Sequence, residues 1–265
     1  MTWLPFHDME PFTDPDLLID PWKEVRLAHR DFNTQQGYKA LLPMPVFHER
    51  VALVGGGRSL ERFWPKLKDY SIIFTTSIAH DFLVDRGICP TYHVDTEAGA
   101  HKVDLITPCN STLYILSLRM NPNYFKRLKQ KHNKIVVFDH LSYSDEHIPS
   151  EYPTFPVTCH GGHTMMLVAY FMGFYYMDFF GFDFNRENGQ TTDMRYTPFK
   201  IEFDGHQFET DKNLLAGAII FYDILASLPH INVEIYTDGL LKAMMEEKQT
   251  RSPNAPARNR VEPNY

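Results

Sequence analysis

The chain has 265 residues, of which 43% are hydrophobic and 22% charged, a composition typical of ordinary globular proteins with one substantial core. Its formal net charge is −7, and the most basic stretch, residues 126–134, is typical of the solvated face of a helix, so we expect no binding to duplex nucleic acid. The longest apolar run, residues 165–184, is interrupted by Gly173, Asp178, Gly181 and Asp183, which argues against a membrane span.

Cysteine usage and the N-terminus both bear on the compartment. Cys89, Cys109 and Cys159 show no C-x-x-C spacing, and any disulfide scheme leaves one of them unpaired, which favours a reducing compartment. The first ten residues lack the basic and apolar regions of a secretory signal. We therefore expect a cytoplasmic protein.

Along the chain, residues 1–45 are rich in proline and acidic residues and contain one helical segment, 21–30, so we interpret them as an N-terminal arm packed on the main domain. From Val51 onward, short apolar strands alternate with amphipathic helices, the pattern of an α/β sheet. The predicted strands are 50–54, 71–75, 91–94, 112–116, 134–138, 176–181 and 233–236. The predicted helices are 59–67, 78–86, 122–132, 162–172 and 212–226.

Two connections, residues 139–156 and 186–211, are long for a compact domain, and we expect them to be loops over an active site. From residue 249 the chain is polar and rich in Pro, Asn and Arg, which predicts a flexible tail. The predicted organisation is an arm (1–45), a catalytic domain (46–248) and a tail (249–265). The sequence is silent on oligomeric state and leaves a homo-oligomer open.

Three glycines, Gly55, Gly56 and Gly57, follow the first strand of the predicted sheet and precede a helix. Glycines let a backbone approach a ligand closely, and a helix N-terminus offers N–H groups to an anion. The run therefore predicts a phosphate-binding loop, in which Ser59 either caps the helix or donates to the phosphate. The alternative is a tight strand-to-helix turn, because the run lacks both the P-loop lysine and the GxGxxG spacing.

Polar side chains also follow the next strands. Thr76 and Ser77 follow the second strand, and Asp95 and Glu97 end the third, at the edge where open α/β sheets bind ligands. We expect Thr76, Ser77, Asp95 and Asp183 to contact the nucleotide donor, with Asp95 orienting its ribose or sugar. Alternatively, Asp95, Glu97 and Asp183 could hold Mg²⁺ through oxygen ligands. The alternative for Asp183 is a structural role at a strand end.

These segments, in this order, resemble a Rossmann-like family that contains the archaeal 6-hydroxymethylpterin diphosphokinases and the bacterial motif-accessory factors of flagellin glycosylation. The bacterial lipooligosaccharide sialyltransferases look like relatives of that family. The resemblance covers roughly residues 51–236. It implies a three-layer α/β sandwich with a mainly parallel sheet, the N-terminal arm and long loops over the site.

The sialyltransferases carry GNGPSL after their first strand, and Gly55, Gly57, Ser59 and Leu60 match it, whereas Gly56 stands where they have the Asn that meets the donor. Their ITSG helix start aligns with residues 159–162, of which only Gly162 is kept. We expect His160, Gly161 and Gly162 to contact a phosphate there, and the alternative is a plain helix N-terminal turn. Zinc is the weaker interpretation of His160 and His163, because no third ligand has suitable spacing.

The sialyltransferase motif GHxxxTD is matched by residues 205–211 at every specified position. The resemblance implies that His206 is the catalytic base, and we expect Asp211 to orient it. The alternative is an exposed loop histidine, one of 13 in the chain.

We therefore predict a transferase, specifically a nucleotide-sugar-dependent glycosyltransferase that works by direct displacement and needs no cofactor. Its partners would be a nucleotide-activated donor and a hydroxyl acceptor. One alternative is a diphosphokinase that uses Mg²⁺ on Asp95, Glu97 and Asp183 to move pyrophosphate from ATP to a hydroxymethyl-pterin or pyrimidine-like acceptor. The other is a non-catalytic accessory protein that binds a nucleotide or sugar, because the donor-contacting Asn and the Thr-Ser pair of the relatives are absent.

Overall fold

A computed structural model describes residues 22–131, 133–141, 151–156, 158, 160–186, 197–203 and 205–251. Its strands are β1 (Lys39–Ala40), β2 (Val51–Val54), β3 (Ile73–Thr75), β4 (Tyr92–Asp95), β5 (Leu113–Ser117), β6 (Lys134–Leu141), β7 (Thr154–Pro156), β8 (Tyr176–Phe180), β9 (Phe199–Phe203), β10 (His206–Thr210) and β11 (Asn232–Tyr236). Its helices are α1 (Lys23–Thr34), α2 (Leu60–Phe63), α3 (Ile78–Val84), α4 (Pro122–Gln130), α5 (Gly161–Phe171), α6 (Lys212–Ser227) and α7 (Leu240–Arg251), with 3-10 turns at Trp64–Asp69 and Ala100–Asp104.

Nine strands form one sheet in the order β1-β6-β5-β4-β3-β2-β8-β11, with β7 beside β6. Every neighbouring pair in it is parallel. Val54 pairs with Thr75 on one side and Phe180 on the other, so the carboxyl ends of β2, β3 and β8 are level. The remaining two strands, β9 and β10, form a separate antiparallel hairpin. The predicted α/β, Rossmann-like sandwich is confirmed.

The sheet is buried on both faces, and successive side chains of its central strands pack on opposite helix layers. On β2 and β8, Leu53 and Phe179 belong to the core formed with α5 and α6. Their neighbours Ala52, Val54 and Phe180 pack with α2 and α3 on the other face. Strands covered on both faces carry continuous apolar runs, and this explains why β2 reads Val-Ala-Leu-Val without a polar position.

All seven predicted strands are present within two residues at each end, except that β6 continues three residues further, to Leu141. The predicted helix 59–67 is divided into α2 and a 3-10 turn, because Pro65 lacks the N–H group that continues an α-helix. Part of the predicted loop 186–211 is the β9–β10 hairpin, and residue 249 lies within α7. Residues 142–150, 187–196 and 252–265, on which other loop and tail predictions fall, lie outside the described ranges.

The predicted arm contributes two elements to the main domain. β1 pairs with β6 at the edge of the sheet, and α1 lies over the carboxyl end of β5. The buried amide of Asn33 on α1 donates to the carbonyls of Leu118 (2.7 Å) and Met120 (2.9 Å), which satisfies both backbone acceptors. These contacts bring the polar face of α1 to the sheet edge where the candidate site lies.

Two further expectations bear on the compartment. The odd cysteine count led us to expect a reducing environment, whereas the structure joins Cys89 and Cys109 by a disulfide. Within the described residues, no helix combines the length and apolar character needed to cross a bilayer.

Candidate functional site

The sheet reverses its direction of winding between β2 and β8. After β2 the chain adds β3, β4, β5 and β6 on one side, then returns to place β8 on the other side of β2. In open parallel sheets such a reversal opens a crevice beyond the carboxyl ends of the strands, where ligands bind. The loops after β2, β3, β4 and β8 all end at this edge, and they carry most of the predicted site residues.

The loops after β2 and β8 are in direct contact, which we call the glycine-loop contact (residues 55–59 with 181–183). The amide of Gly55 donates to Phe180 O and the amide of Gly57 donates to Gly181 O, both at 2.8 Å. A Cβ atom on Gly57 would lie 2.5 Å from Gly181 O, and one on Gly181 would lie 2.4 Å from Gly55 O. These glycines therefore allow two backbones to meet, and their amides already have protein acceptors.

Asp183 closes the glycine-loop contact. Its carboxylate accepts the amide of Ser59 at 2.8 Å and the hydroxyl groups of both Ser59 and Thr237. The side chain is buried, so these donors compensate for its removal from water. The arrangement corresponds to the structural alternative for Asp183, and it gives Ser59 a role in holding the loop.

A cavity of about 220 Å³ lies beside this contact, between the β2 loop and the loop after β11. Among its lining residues are Arg58, Arg62, Asp183, Asn185 and Asp238. Arg62 donates to Asp238 across the mouth at 2.7 Å. We call it the Arg62 cavity. Both acidic and basic side chains line it.

The loop after β3 is strained. Ser77 has a φ of +50°, and Phe184, in the loop after β8, has a φ of +54°. They are two of the three non-glycine residues with positive φ in the described part of the chain. Such conformations each cost about 1–3 kcal/mol and concentrate at functional sites. Lys102 stabilises the first of them by donating from Nζ to the Ser77 hydroxyl.

At the end of β4, Asp95 is buried and accepts the amides of Thr96 (2.8 Å) and Glu97 (3.1 Å). His93 Nε2 lies 3.6 Å from its carboxylate. Burial alone would raise the pKa of Asp95, but the nearby imidazole of His93 and the charge of Lys102 outweigh it, so the pKa is lowered. Asp95 therefore anchors the loop that carries Glu97.

The three predicted magnesium ligands do not fit one metal site. β4, which carries Asp95, is separated from β8 by two strands, about 14 Å at the usual strand spacing. Glu97 accepts the amide of Gly99, and Asp183 is held as described above. No group of three His, Cys, Asp or Glu side chains suited to a metal ion is found among the residues that the structure describes.

The first turn of α5 lies against the β3 loop. A Cβ on Gly161 would lie 2.9 Å from the Thr76 hydroxyl, so glycine lets the helix end approach that buried side chain. The ring of His160 does not point to this edge: its Nε2 lies 3.1 Å from Asn213 O on α6. His163 Nε2 likewise lies 2.9 Å from Gly217 O. Both imidazoles hold α5 against α6, and burial lowers the pKa of each.

The hairpin carries His206 away from Asp211. His206 is exposed at the start of β10, opposite Phe203, and lies four extended residue steps, about 13 Å, from Thr210. Thr210 is anchored to the site through a 3.1 Å hydrogen bond from its hydroxyl to Phe184 O. The predicted pairing of Asp211 with His206 is therefore not seen.

Asp211 instead works at the base of the hairpin. It forms a buried ion pair with Arg186 (2.6 Å) and accepts the amide of Leu214 at 2.9 Å, which caps α6.

A second cavity, of about 130 Å³, lies between α1, the ends of β4 and β6, and α5. It is lined by Arg26, Thr96, Glu97, His140, Thr158, Gly161 and Thr164, and we call it the α1 cleft. Beneath it, Arg30 and Arg119 share the buried carboxylate of Asp139, at 2.6 and 3.0 Å. The cleft thus joins the α5 turn and the β4 loop to a group of arginines.

With this geometry in place, comparison with known proteins identifies the family. Residues 28–189, which are 162 of the 265, match the family described as 6-hydroxymethylpterin diphosphokinase MptE-like. The chain belongs to this MptE-like family. The matched segment begins within α1 and ends just beyond the β8 loop, so it includes the crevice but not the hairpin with His206.

The MptE-like chain is also similar in fold to a solved structure, the MAf glycosyltransferase from Magnetospirillum magneticum AMB-1, with a TM-score of 0.60 and 16% sequence identity. The match covers 88% of this chain and 42% of that one, so our chain spans less than half the length of its neighbour. At this identity the likeness shows the fold alone. No curated protein matches the sequence.

The α1 cleft of the MptE-like chain was not among the predicted sites, although the sequence carries a signal for it. Arg26, Arg30 and Asn33 are spaced by four and three residues, which places them on one face of a helix. Asp139 and His140 fall near the end of a strand, at the edge where ligands bind. Both patterns lie on segments that we interpreted as an arm and the start of a loop.

Proposed function

We propose that this protein is a transferase that moves a glycosyl group from a nucleotide-activated donor to a hydroxyl acceptor. One observation carries the proposal: at the carboxyl edge of the sheet, the first turn of α5 borders a cleft that also contains a guanidinium group and hydroxyl groups. The family and the structural neighbour are described as a diphosphokinase and a glycosyltransferase, both of which are transferases.

The proposed reaction is a direct displacement. The acceptor oxygen forms a bond to the anomeric carbon of the donor, and the bond from that carbon to the nucleotide phosphate breaks. Negative charge develops on the leaving phosphate, and hydrogen-bond donors aimed at it lower the barrier. The first-turn amides of α5 are suited to this because a helix N-terminus carries unpaired N–H groups and partial positive charge.

The glycine loop contributes less to phosphate binding than its sequence predicts. The amides of Gly55, Gly57 and Ser59 donate to protein acceptors, and a phosphate would have to displace those bonds. Gly56 packs close to Ile78, since a Cβ on it would lie 2.6 Å from Ile78 Cγ1. We propose that this loop bounds the donor site and sets its shape, whereas α5 holds the phosphate.

His206 is the proposed general base that takes the proton from the acceptor hydroxyl. Support comes from the motif of residues 205–211 and from the anchoring of β10 at the site through Thr210. The test is His206→Ala with His48→Ala, another exposed histidine, as the control. We expect turnover to fall about 100-fold or more with nucleotide affinity unchanged, and no effect of the control. A loss of affinity with turnover per bound donor intact would reject His206 as the base.

A diphosphokinase that transfers pyrophosphate from ATP is the second candidate, and the family description favours it. Mg²⁺ would supply charge neutralisation at the phosphates, but the predicted acidic residues do not form one site for it. Activity in EDTA separates the two functions: the glycosyl transfer proposed here continues, whereas a Mg²⁺-dependent diphosphokinase stops.

A thermal-shift screen with CMP, UDP, GDP and ATP, in EDTA and in Mg²⁺, tests the proposal before any acceptor is known. A nucleotide that binds the folded state raises the melting temperature. We expect at least one nucleotide to do so in EDTA. No shift with any nucleotide would contradict the proposal, and binding without turnover would point to a non-catalytic accessory protein.

A further inference from the structure

His140 places a single hydrogen-bonding nitrogen in the wall of the α1 cleft. The residue is only 2% exposed, and its Nδ1 lies 2.6 Å from the Ser117 hydroxyl. The same hydroxyl oxygen accepts the amide of Arg119 at 3.1 Å. When that hydroxyl donates its own hydrogen to Nδ1, the ring proton lies on Nε2. In that tautomer Nε2, for which the described residues provide no partner, is a donor in a side chain that lines the cleft.

The ring is held neutral. Burial lowers the pKa of His140 well below its usual value, and the nearby charges of Arg119 and Arg26 lower it further. A neutral imidazole with its proton on Nε2 donates a hydrogen bond throughout the physiological pH range. Nothing has to be ionised for this donor to be present.

The surroundings of His140 are rich in guanidinium groups. Arg26 lines the cleft, and Arg30 and Arg119 lie behind it on the shared carboxylate of Asp139. The described acids at the cleft are Asp139 and, at the rim, Glu97, whose carboxylate accepts the amide of Gly99. The first turn of α5 contributes Gly161 and Thr164 to the same cleft.

We propose that the α1 cleft is an oxyanion subsite, in which Arg26, His140 Nε2 and the first turn of α5 together bind one phosphate or carboxylate group of a substrate. A cavity of about 130 Å³ has room for one such group. Guanidinium is suited to bind either oxyanion, and the helix end adds favourable charge. The inference rests on the proposed function in one respect only, which is the identity of the substrate that carries the anion.

The test is titration of the full chain with inorganic phosphate and, in a separate arm, with acetate, followed by amide NMR and calorimetry. In the wild type we expect saturable shifts of the Gly161 and Thr164 amides. Tighter binding of phosphate assigns the cleft to a donor phosphate, and tighter binding of acetate assigns it to an acid group on the sugar or acceptor. Absence of saturable shifts at these amides with both probes would overturn the proposal.

Variants then assign the binding to side chains. Arg26→Met should weaken binding at least tenfold, whereas Lys126→Met, which removes one exposed cation from α4, should leave it within twofold. His140→Gln places an amide near the Nε2 position and should retain most binding. His140→Asn places one near Nδ1 and should lose it, at least tenfold.

Equal affinity in Arg26→Met and in the wild type would overturn the subsite even if a His140 variant fails to fold. The phosphate titration requires no turnover, so it decides the subsite even if no glycosyl transfer is ever detected. Conversely, nucleotide-sugar turnover that survives Arg26→Met, with phosphate binding absent, would leave the proposed function intact and remove the subsite.

Discussion

The glycine-loop contact and the α1 cleft lie at the same edge of one sheet but differ in what they leave available to a ligand. In the first, the amides of Gly55, Gly57 and Ser59 donate hydrogen bonds to protein oxygen atoms, and Asp183 accepts three hydrogen bonds. In the second, a guanidinium, a neutral imidazole and a helix end border one cavity. A glycine-rich turn can therefore serve backbone packing, while the donors that we propose for ligand binding lie two strands away.

Substitution of Gly181 in the glycine-loop contact gives the largest expected loss of unfolding free energy. Gly181 and Gly37 both have positive φ, +68° and +65°, but a Cβ on Gly181 would meet Gly55 O at 2.4 Å, whereas nothing lies within 4 Å of one on Gly37. Gly37→Ala should cost about 1–2 kcal/mol, the cost of the left-handed conformation alone. Gly181→Ala should cost about 3–5 kcal/mol, because overpacking adds to it.

Denaturant unfolding of the two alanine variants measures the difference. Equal losses of unfolding free energy would show that the two loops do not meet as closely as described, and the amides of the β2 loop would then be open to a ligand.

Substitution of Asp183, whose carboxylate closes this contact, gives the next largest expected loss of unfolding free energy. Asp183→Asn replaces an oxygen that accepts hydroxyl or amide donors with an NH₂ group, so a buried donor loses its partner, and we expect a loss of about 2–3 kcal/mol. The control Asp238→Asn breaks only the exposed pair with Arg62 and should cost less than about 1 kcal/mol. If calorimetric melting shows the two variants to be equally stable, Asp183 does not hold the loops together.

The smallest predicted effect is a dependence of folding stability on pH, which is caused by buried histidines. Burial, with a smaller contribution from a neighbouring histidine, lowers the pKa of His80 and of His163 to about 3. Between that value and the ordinary histidine pKa of about 6.5, the unfolded chain binds protons that the folded chain does not, so stability falls as pH falls below 6.5. Each group should account for about 1–2 kcal/mol between pH 7 and pH 5.

His163→Phe should reduce that loss in urea unfolding at the two pH values, with His48→Gln as the control for removal of an exposed histidine. The same pH-dependent loss in wild type and His163→Phe would mean that His163 is not buried in its neutral form.

Most of the sheet could be predicted from the sequence, because β2, β5 and β8 are continuous apolar runs bounded by glycine or polar residues. Strands with little burial were missed: β1 has two residues, and β9 is largely exposed. Alternation of apolar and polar residues is weak in such segments, so their pairing depends on tertiary contacts that local patterns do not record.

The candidate site was less predictable than the fold. A glycine run indicates that something approaches the backbone closely, but the partner is a ligand in some proteins and Gly181 here. The distance between His206 and Asp211 depended on residues 206–210 being a strand and not a loop. Arg26 and His140 are 114 positions apart, and only the packing of α1 on the sheet brings them to one cleft.

Affinity for nucleotides in two arginine variants tests the central claim most directly. Arg26 lines the α1 cleft, whereas Arg62 lines the Arg62 cavity beside the glycine-loop contact, and each substitution by Met removes one guanidinium. CMP, UDP, GDP and ATP are titrated into each protein in EDTA. We predict that a nucleotide that binds the wild type binds at least tenfold more weakly to Arg26→Met and less than threefold more weakly to Arg62→Met. The reverse order would place the donor over the glycine loop and contradict the account.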